Sequence, residues 1–174
     1  MDNIQTVPAV VMINPKYSHN LAAAIRACSC FGIEELRYTG SRINVEPNER
    51  LPREERMKGY KAVNWCRDDY PLDIDGLFTP VCVEVREDSE PLTTFDHPLD
   101  AVYVFGPEDG SVPQVIRQHC HRFVHIPAHH CLNLAAAMNV VLAHRFMQLQ
   151  PMLPLSEVLH EIRGEIMVGG WEGR

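Results

Sequence analysis

Residues 7–32, VPAVVMINPKYSHNLAAAIRACSCFG, decide the fold class. Residues 7–13 are a continuous apolar run of strand length, the pattern of a strand buried on both faces. Asn14-Pro15 ends it. Residues 19–31 then carry Leu21, Ile25 and Cys28 at helical spacing, with Ser18 placed to cap the start and Gly32 to stop the helix. The unit is strand, polar turn, helix.

The same order recurs downstream. Residues 34–39 and 79–85 (TPVCVEV) are predicted strands, as are 101–105 (AVYVF) and 122–126 (RFVHI), and helices are predicted for 54–60, 113–120, 133–148 and 155–167. A weak helix opened by Pro91 follows the strand 79–85. Residues 40–52 read as an exposed polar loop and 168–174 as a frayed tail. Strands alternating with helices imply an α/β protein with a mainly parallel sheet and helices on both faces. At 174 residues and 45% hydrophobic, the chain is expected to be one domain, residues 1–174.

No stretch reaches the ~20 apolar residues of a membrane span, and residues 1–16 lack the pattern of a signal peptide. A soluble, cytoplasmic protein is expected. The six cysteines show no CxxC pair and no regular spacing, which predicts free thiols in a reducing compartment.

A net charge of −7 argues against a protein that coats nucleic acid through a uniform positive field. The charge is unevenly spread, however. Residues 37–61 hold seven basic side chains against four acidic ones, whereas 68–100 hold ten acids and only Arg86. The basic stretch, with Arg50, Arg53, Arg56 and Lys58, is a candidate surface for a polyanion. It is equally readable as a solvated helix face with pairs such as Glu54 and Lys58.

Three turns could carry chemistry. In the first, Asn20 lies near a helix start and Arg26 in its middle, on different parts of the helix surface. A guanidinium among small apolar neighbours is either solvated or aimed at an anion. In the second, Phe105-Gly106-Pro107-Glu108-Asp109-Gly110 follows a buried strand; Gly106 permits close backbone approach, and Glu108 can fix local donors or a ligand group. In the third, Ile126-Pro127 ends a strand and Cys131-Leu132-Asn133 opens the strongest helix, whose free N–H groups suit a nucleoside site or simply a cap by Asn133. The histidines and cysteines of residues 119–131 match none of the paired zinc spacings, and no metal is expected. A nucleophilic Cys131 is a further reading.

Taken in order, NLAAAIRACSCFGI, FGPEDGSVP and IPAHHCLNLAAAMNVVLA resemble the three motifs of the SpoU or TrmH-like RNA ribose methyltransferases of the SPOUT class. The resemblance runs from about residue 7 to residue 148. It implies a C-terminal segment threaded as a deep trefoil knot, an exception to the usual unthreaded connections. It also implies S-adenosylmethionine held bent by the turns containing Gly106, Ile126, Cys131, Leu132 and Asn133, with Glu108 in the second motif and Glu84 beside the adenine.

Arg26 falls at the family's catalytic arginine and Asn20 at its companion asparagine. Cys131 stands where the family usually has a small hydroxyl residue, and Ala22 where a glycine is frequent. The resemblance further implies a homodimer, with helix 133–148 at its interface. No RNA-binding domain is read before the first strand, so residues 40–61 are expected to dock the RNA, with transfer RNA the favoured substrate. Methylation of a base nitrogen, or an RNA-binding module without turnover, are the alternatives.

Overall fold

The computed structural model describes residues 8–43, 62–74 and 77–149. The predicted helices 54–60 and 155–167, most of the loop 40–52 and the tail 168–174 lie outside them. Among the described residues seven strands form one sheet: β1 (Ala9–Met12), β2 (Glu35–Tyr38), β3 (Asn64–Arg67), β4 (Thr79–Val83), β5 (Glu90–Pro91), β6 (Ala101–Phe105) and β7 (Arg122–His125). Among the described residues three α-helices accompany them: α1 (Ser18–Cys30), α2 (Gln114–Arg117) and α3 (Leu134–Leu149). The order across the sheet is β3-β2-β1-β6-β4-β7-β5, and every described pairing is parallel.

β1 is buried along its whole length because alternate residues enter two different cores. Val10 and Met12 join Leu36, Tyr38, Tyr103 and Phe105 beneath α1 and α3, while Ala9, Val11 and Ile13 join Cys82, Val102 and Val104 on the opposite face. That second face is closed by Ile116 of α2 and by Leu72, Ile74 and Phe78. Helices therefore cover both faces, though α2 is only one turn.

α1 turns Leu21, Ala24, Ile25 and Cys28 inward, the stripe expected from the spacing. Its ends differ in one respect from expectation. Ser18 is already helical, Tyr17 occupies the cap position, and no side chain caps the start. At the other end Gly32 takes φ +68°, and the Ile33 N–H donates to the Cys28 carbonyl at 2.9 Å, the closing bond of a Schellman stop.

Other boundaries moved too. The helix expected over 113–120 is cut to Gln114–Arg117, and the weak helix after Pro91 is a single 3-10 turn, Leu92–Thr94. Edge strand β3 was not predicted: only Trp65 of its four residues is buried, so no apolar run marks it. Among the described residues no helix is long and apolar enough to cross a membrane.

Beyond the end of β1, Asn14 takes φ 44° and its N–H donates to Thr39 Oγ1 at 3.0 Å. Gly40, at φ +82°, packs against it, and a Cβ there would overlap the Asn14 amide and lie 3.0 Å from its Cβ. Gly40→Ala combines a left-handed backbone with a clash and is expected to destabilise the protein by about 2–4 kcal/mol. Gly32→Ala, where the space is open, is expected to cost about 1–2 kcal/mol. Urea melts of the two variants check the difference.

α3 is tied to the segment before β6 by a buried polar cluster. His97 Nδ1 meets Tyr103 Oη at 2.6 Å and His97 Nε2 meets His144 Nδ1 at 2.9 Å. The His97 N–H donates to Gln148 Oε1 at 2.8 Å, and Arg145 Nη2 donates to the Leu99 carbonyl at 3.1 Å. Burial, with the neighbouring His144, Arg145 and Arg122, pushes His97 down to about 4.

An unfolded histidine titrates near ~6.5. As pH falls through that value the unfolded chain takes up a proton that folded His97 refuses. Stability is therefore expected to fall between about pH 6.5 and pH 4 and then to stop changing on this account, by at most ~3 kcal/mol. Urea midpoints at pH 7, 5.5 and 4.5 measure it; His97→Asn should flatten the slope.

Candidate active site

The strand order reverses between β1 and β6, so the chain leaves these neighbours in opposite directions at the carboxyl edge of the sheet. The first two motifs meet there: Met12 is in register with Phe105, and the Ile13 N–H donates to the Phe105 carbonyl at 2.9 Å. β7, which delivers the third motif, lies one strand away across β4. A cleft of about 650 Å³ runs along this edge.

Of the seven predicted cofactor residues, Glu84, Gly106, Glu108, Ile126, Cys131 and Leu132 line the cleft. The turn after Gly106 folds back so tightly that a Cβ there would stand 3.2 Å from the Val112 nitrogen, which is what the glycine provides. Glu84 is anchored at the far wall: its N–H donates to the Val124 carbonyl at 3.0 Å, and its carboxylate pairs with Arg117 at 3.6 Å. His129 and His130 also line the cleft, a placement the motif reading did not assign.

Asn133, exposed at the start of α3, is the one predicted cofactor residue not among those lining the cleft. Its Oδ1 accepts the N–H groups of Ala135 and Ala136 at 3.0 and 3.3 Å, capping α3, while its Nδ2 donates to Asn20 Oδ1 at 3.1 Å. Asn20, only 1% exposed, donates in turn to Glu108 Oε1 at 2.5 Å. Glu108 Oε2 accepts the Lys16 N–H at 2.8 Å. One residue from each motif thus joins a single hydrogen-bonded chain.

Partial burial works to raise the Glu108 carboxyl, but the hydrogen bonds from Asn20 and from nearby main-chain N–H groups outweigh it and hold the group below the usual range. The residue is a carboxylate at neutral pH. It fixes the cleft wall to α1 through Asn20.

Arg26 lies on the exposed side of α1 and is not among the residues lining the cleft. The structure therefore separates it from buried Asn20, as the spacing implied. Arg50, Arg53, Arg56 and Lys58 lie outside the described residues. A different basic pair stands beside Glu108, outside the cleft lining: Arg42 grips both oxygens of Asp109 at 2.8 and 2.7 Å, and Lys16 Nζ approaches the same carboxylate at 3.6 Å. Its two charge-assisted bonds to Arg42 push Asp109 down to about 2. Sequence reasoning counted Arg42 only in a charge balance, because a pairing across 67 residues leaves no local trace.

A parallel α/β sheet with a cleft at its carboxyl edge, lined by a glycine-containing turn and a helix start, has the arrangement in which open α/β proteins bind their ligands. The model of the SpoU rRNA Methylase family matches residues 8–143, and the chain belongs to that family.

Solved structures share the fold. The SpoU methyltransferase AviRb from Streptomyces viridochromogenes, in complex with AdoMet, superposes with a TM-score of 0.65 at 18% identity, covering 82% of this chain and 60% of AviRb. The chain thus spans about three-fifths of that relative's length. The A. aeolicus TrmH/SpoU tRNA modifying enzyme gives a TM-score of 0.69 at 21% identity over 92% of this chain and 87% of its own. A structure describing the 2-OH methylation of C/U34 on tRNA gives 0.68 at 17% identity, over 83% and 97%. No curated protein matches the sequence.

Proposed function

We propose that the chain is a cytoplasmic, S-adenosylmethionine-dependent RNA methyltransferase that modifies a ribose 2′-oxygen, with transfer RNA as its substrate. The observation that carries this reading is the hydrogen-bonded chain Asn133–Asn20–Glu108, which locks the three family motifs around one cleft. Membership of the SpoU rRNA Methylase family supports the reaction class, and the AdoMet complex of AviRb supports the donor. The transfer RNA substrate rests on the TrmH-like and tRNA-methylation structures that share the fold.

The cleft fits the donor. Its volume lies within the range of small-molecule sites, roughly 300–1,000 Å³, and its walls combine apolar side chains (Val83, Phe105, Ile126, Leu134) with main chain at Gly106. S-adenosylmethionine supplies an electrophilic methyl on a sulfonium, so the protein needs no metal for this step. The work of the residues is positional. Gly106 and the 126–132 turn hold the donor's nucleoside, Glu84 sits at the far wall, and Glu108 keeps the 106–112 turn in place through Asn20.

Arg26 is read as the acceptor's anchor. A guanidinium is a poor general base, so its role is to bind the phosphate beside the target ribose and stabilise the developing alkoxide. Reaching an acceptor from the exposed side of α1 suits a site completed by a second subunit. The apolar side chains that α3 leaves at the surface, Val140, Phe146 and Met147 (70% exposed), support a homodimer through that helix. Threading of the segment after β7 as a trefoil knot is part of the same reading.

Calorimetry with S-adenosylmethionine and S-adenosylhomocysteine, followed by methyl incorporation into bulk RNA, tests the proposal. Binding with incorporation into an alkali-resistant linkage is expected, because a blocked 2′-oxygen cannot attack its own phosphate. Alkali-labile product would reassign the acceptor to a base, and donor binding without incorporation would leave only an RNA-binding module. Size measurement should return a dimer; a monomer alone would contradict the shared site.

A further inference from the structure

The rim of the cleft beside Asn20 carries a side-chain cluster that the motifs do not use. Residues 16–19 (KYSH), at the junction of the turn after β1 with the first turn of α1, are all exposed. Tyr17 is 45% exposed, and its ring stacks on His19 with centroids 5.3 Å apart and planes 19° from parallel. Lys16 Nζ stands 5.4 Å from the Tyr17 ring centre and 3.6 Å from Asp109, the carboxylate that Arg42 also holds. The cluster is joined to the cleft by main chain: the Lys16 N–H binds Glu108, and the Tyr17 carbonyl accepts the Asn20 N–H at 3.1 Å.

Two cations here share one surface carboxylate, since Glu108 is turned toward Asn20 and the main chain. Exposed ion pairs are weak and readily exchanged. A phosphate can replace a carboxylate on a guanidinium with the same two-pronged geometry. An exposed ring stack beside such cations is the combination that holds unpaired nucleotides, the stack taking a base and the cations its backbone.

We infer that Lys16, Tyr17, His19 and Arg42 form a seat for an unpaired RNA nucleotide at the cleft mouth, the base extending the Tyr17–His19 stack and its phosphate replacing Asp109 on Lys16 and Arg42. Asp109 is then a resident competitor for the phosphate. This rests on the RNA-methyltransferase reading and adds to it the surface by which the acceptor strand is held. None of these four side chains lines the cleft, so the seat and the donor site are separable by mutation.

The test is the affinity of fluorescently labelled bulk transfer RNA for the full chain, measured against salt, with S-adenosylhomocysteine calorimetry on each protein. Tyr17→Ala is expected to weaken RNA binding about fivefold or more while Tyr17→Phe keeps it. Lys16→Ala combined with Arg42→Ala should reduce the slope of log affinity against log salt by about 1–2. Asp109→Asn should tighten binding. S-adenosylhomocysteine affinity should stay at the wild-type value throughout.

Wild-type RNA affinity in Tyr17→Ala, or an Asp109→Asn protein that binds RNA as poorly as the double variant, would overturn the seat while the donor reading stands. A wild-type protein that binds neither RNA nor S-adenosylhomocysteine would overturn both.

Discussion

Asn20→Ala is expected to lower methyl transfer by about 100-fold, the scale of loss that a displacement of ~1 Å in a positioned site produces. Asn20 is buried and uses both ends of its amide, donating to Glu108 and accepting from Asn133. Alanine removes two hydrogen bonds, but Glu108 is only partly buried and Asn133 is exposed, so water can replace them and urea melts should show a loss of about 1–2 kcal/mol. Asn20→Asp tests the chemistry separately. It keeps the shape but sets a second carboxylate against Glu108, and it should be no more active than alanine. Near-wild-type incorporation of labelled methyl by Asn20→Ala would remove the structural basis for joining the three motifs.

Arg26→Ala is expected to lose about 10²–10³-fold in rate, as when a group that stabilises developing charge is removed, with little change in fold. The side chain is on the exposed side of α1, so its loss should alter stability by no more than about 1 kcal/mol. S-adenosylhomocysteine affinity should also be unchanged, since Arg26 is not among the cleft residues. Arg26→Lys keeps a point charge and loses the fork, so partial activity is expected. Single-turnover methyl transfer with bulk transfer RNA separates these variants. An Arg26→Ala enzyme with an unchanged rate would end the anchoring role.

The contrast between these two residues shows where a single chain stops informing. Both lie in one motif, and helical spacing alone places them on different parts of α1. Burial then separates their roles: Asn20 faces the motifs from two distant segments, whereas Arg26 faces outward toward whatever approaches the surface. Asn133 illustrates the same limit. Its position before a strong helix suggested either a cap or a ligand contact, and the coordinates show the cap together with a link to Asn20 that neither reading contained.

The α/β class, the buried run of β1, the inward stripe of α1 and the Gly32 stop were legible in residues 7–32 because each follows from local rules. A strand buried on both faces must be apolar throughout, and a helix must repeat its apolar side every three to four residues. The span of β6 and nearly all of α3 were legible for the same reason. Edge strand β3 was not, since an element with one buried side chain has no period to read.

The Arg42–Asp109–Lys16 cluster and the chain from Glu108 to Asn133 also lay beyond that reach. Such contacts join residues up to 113 positions apart and depend on the strand order β1-β6-β4-β7, which local spacing does not encode. Hydrophobic periodicity dictates which residues leave water; the pairing of parallel strands dictates which distant turns then meet.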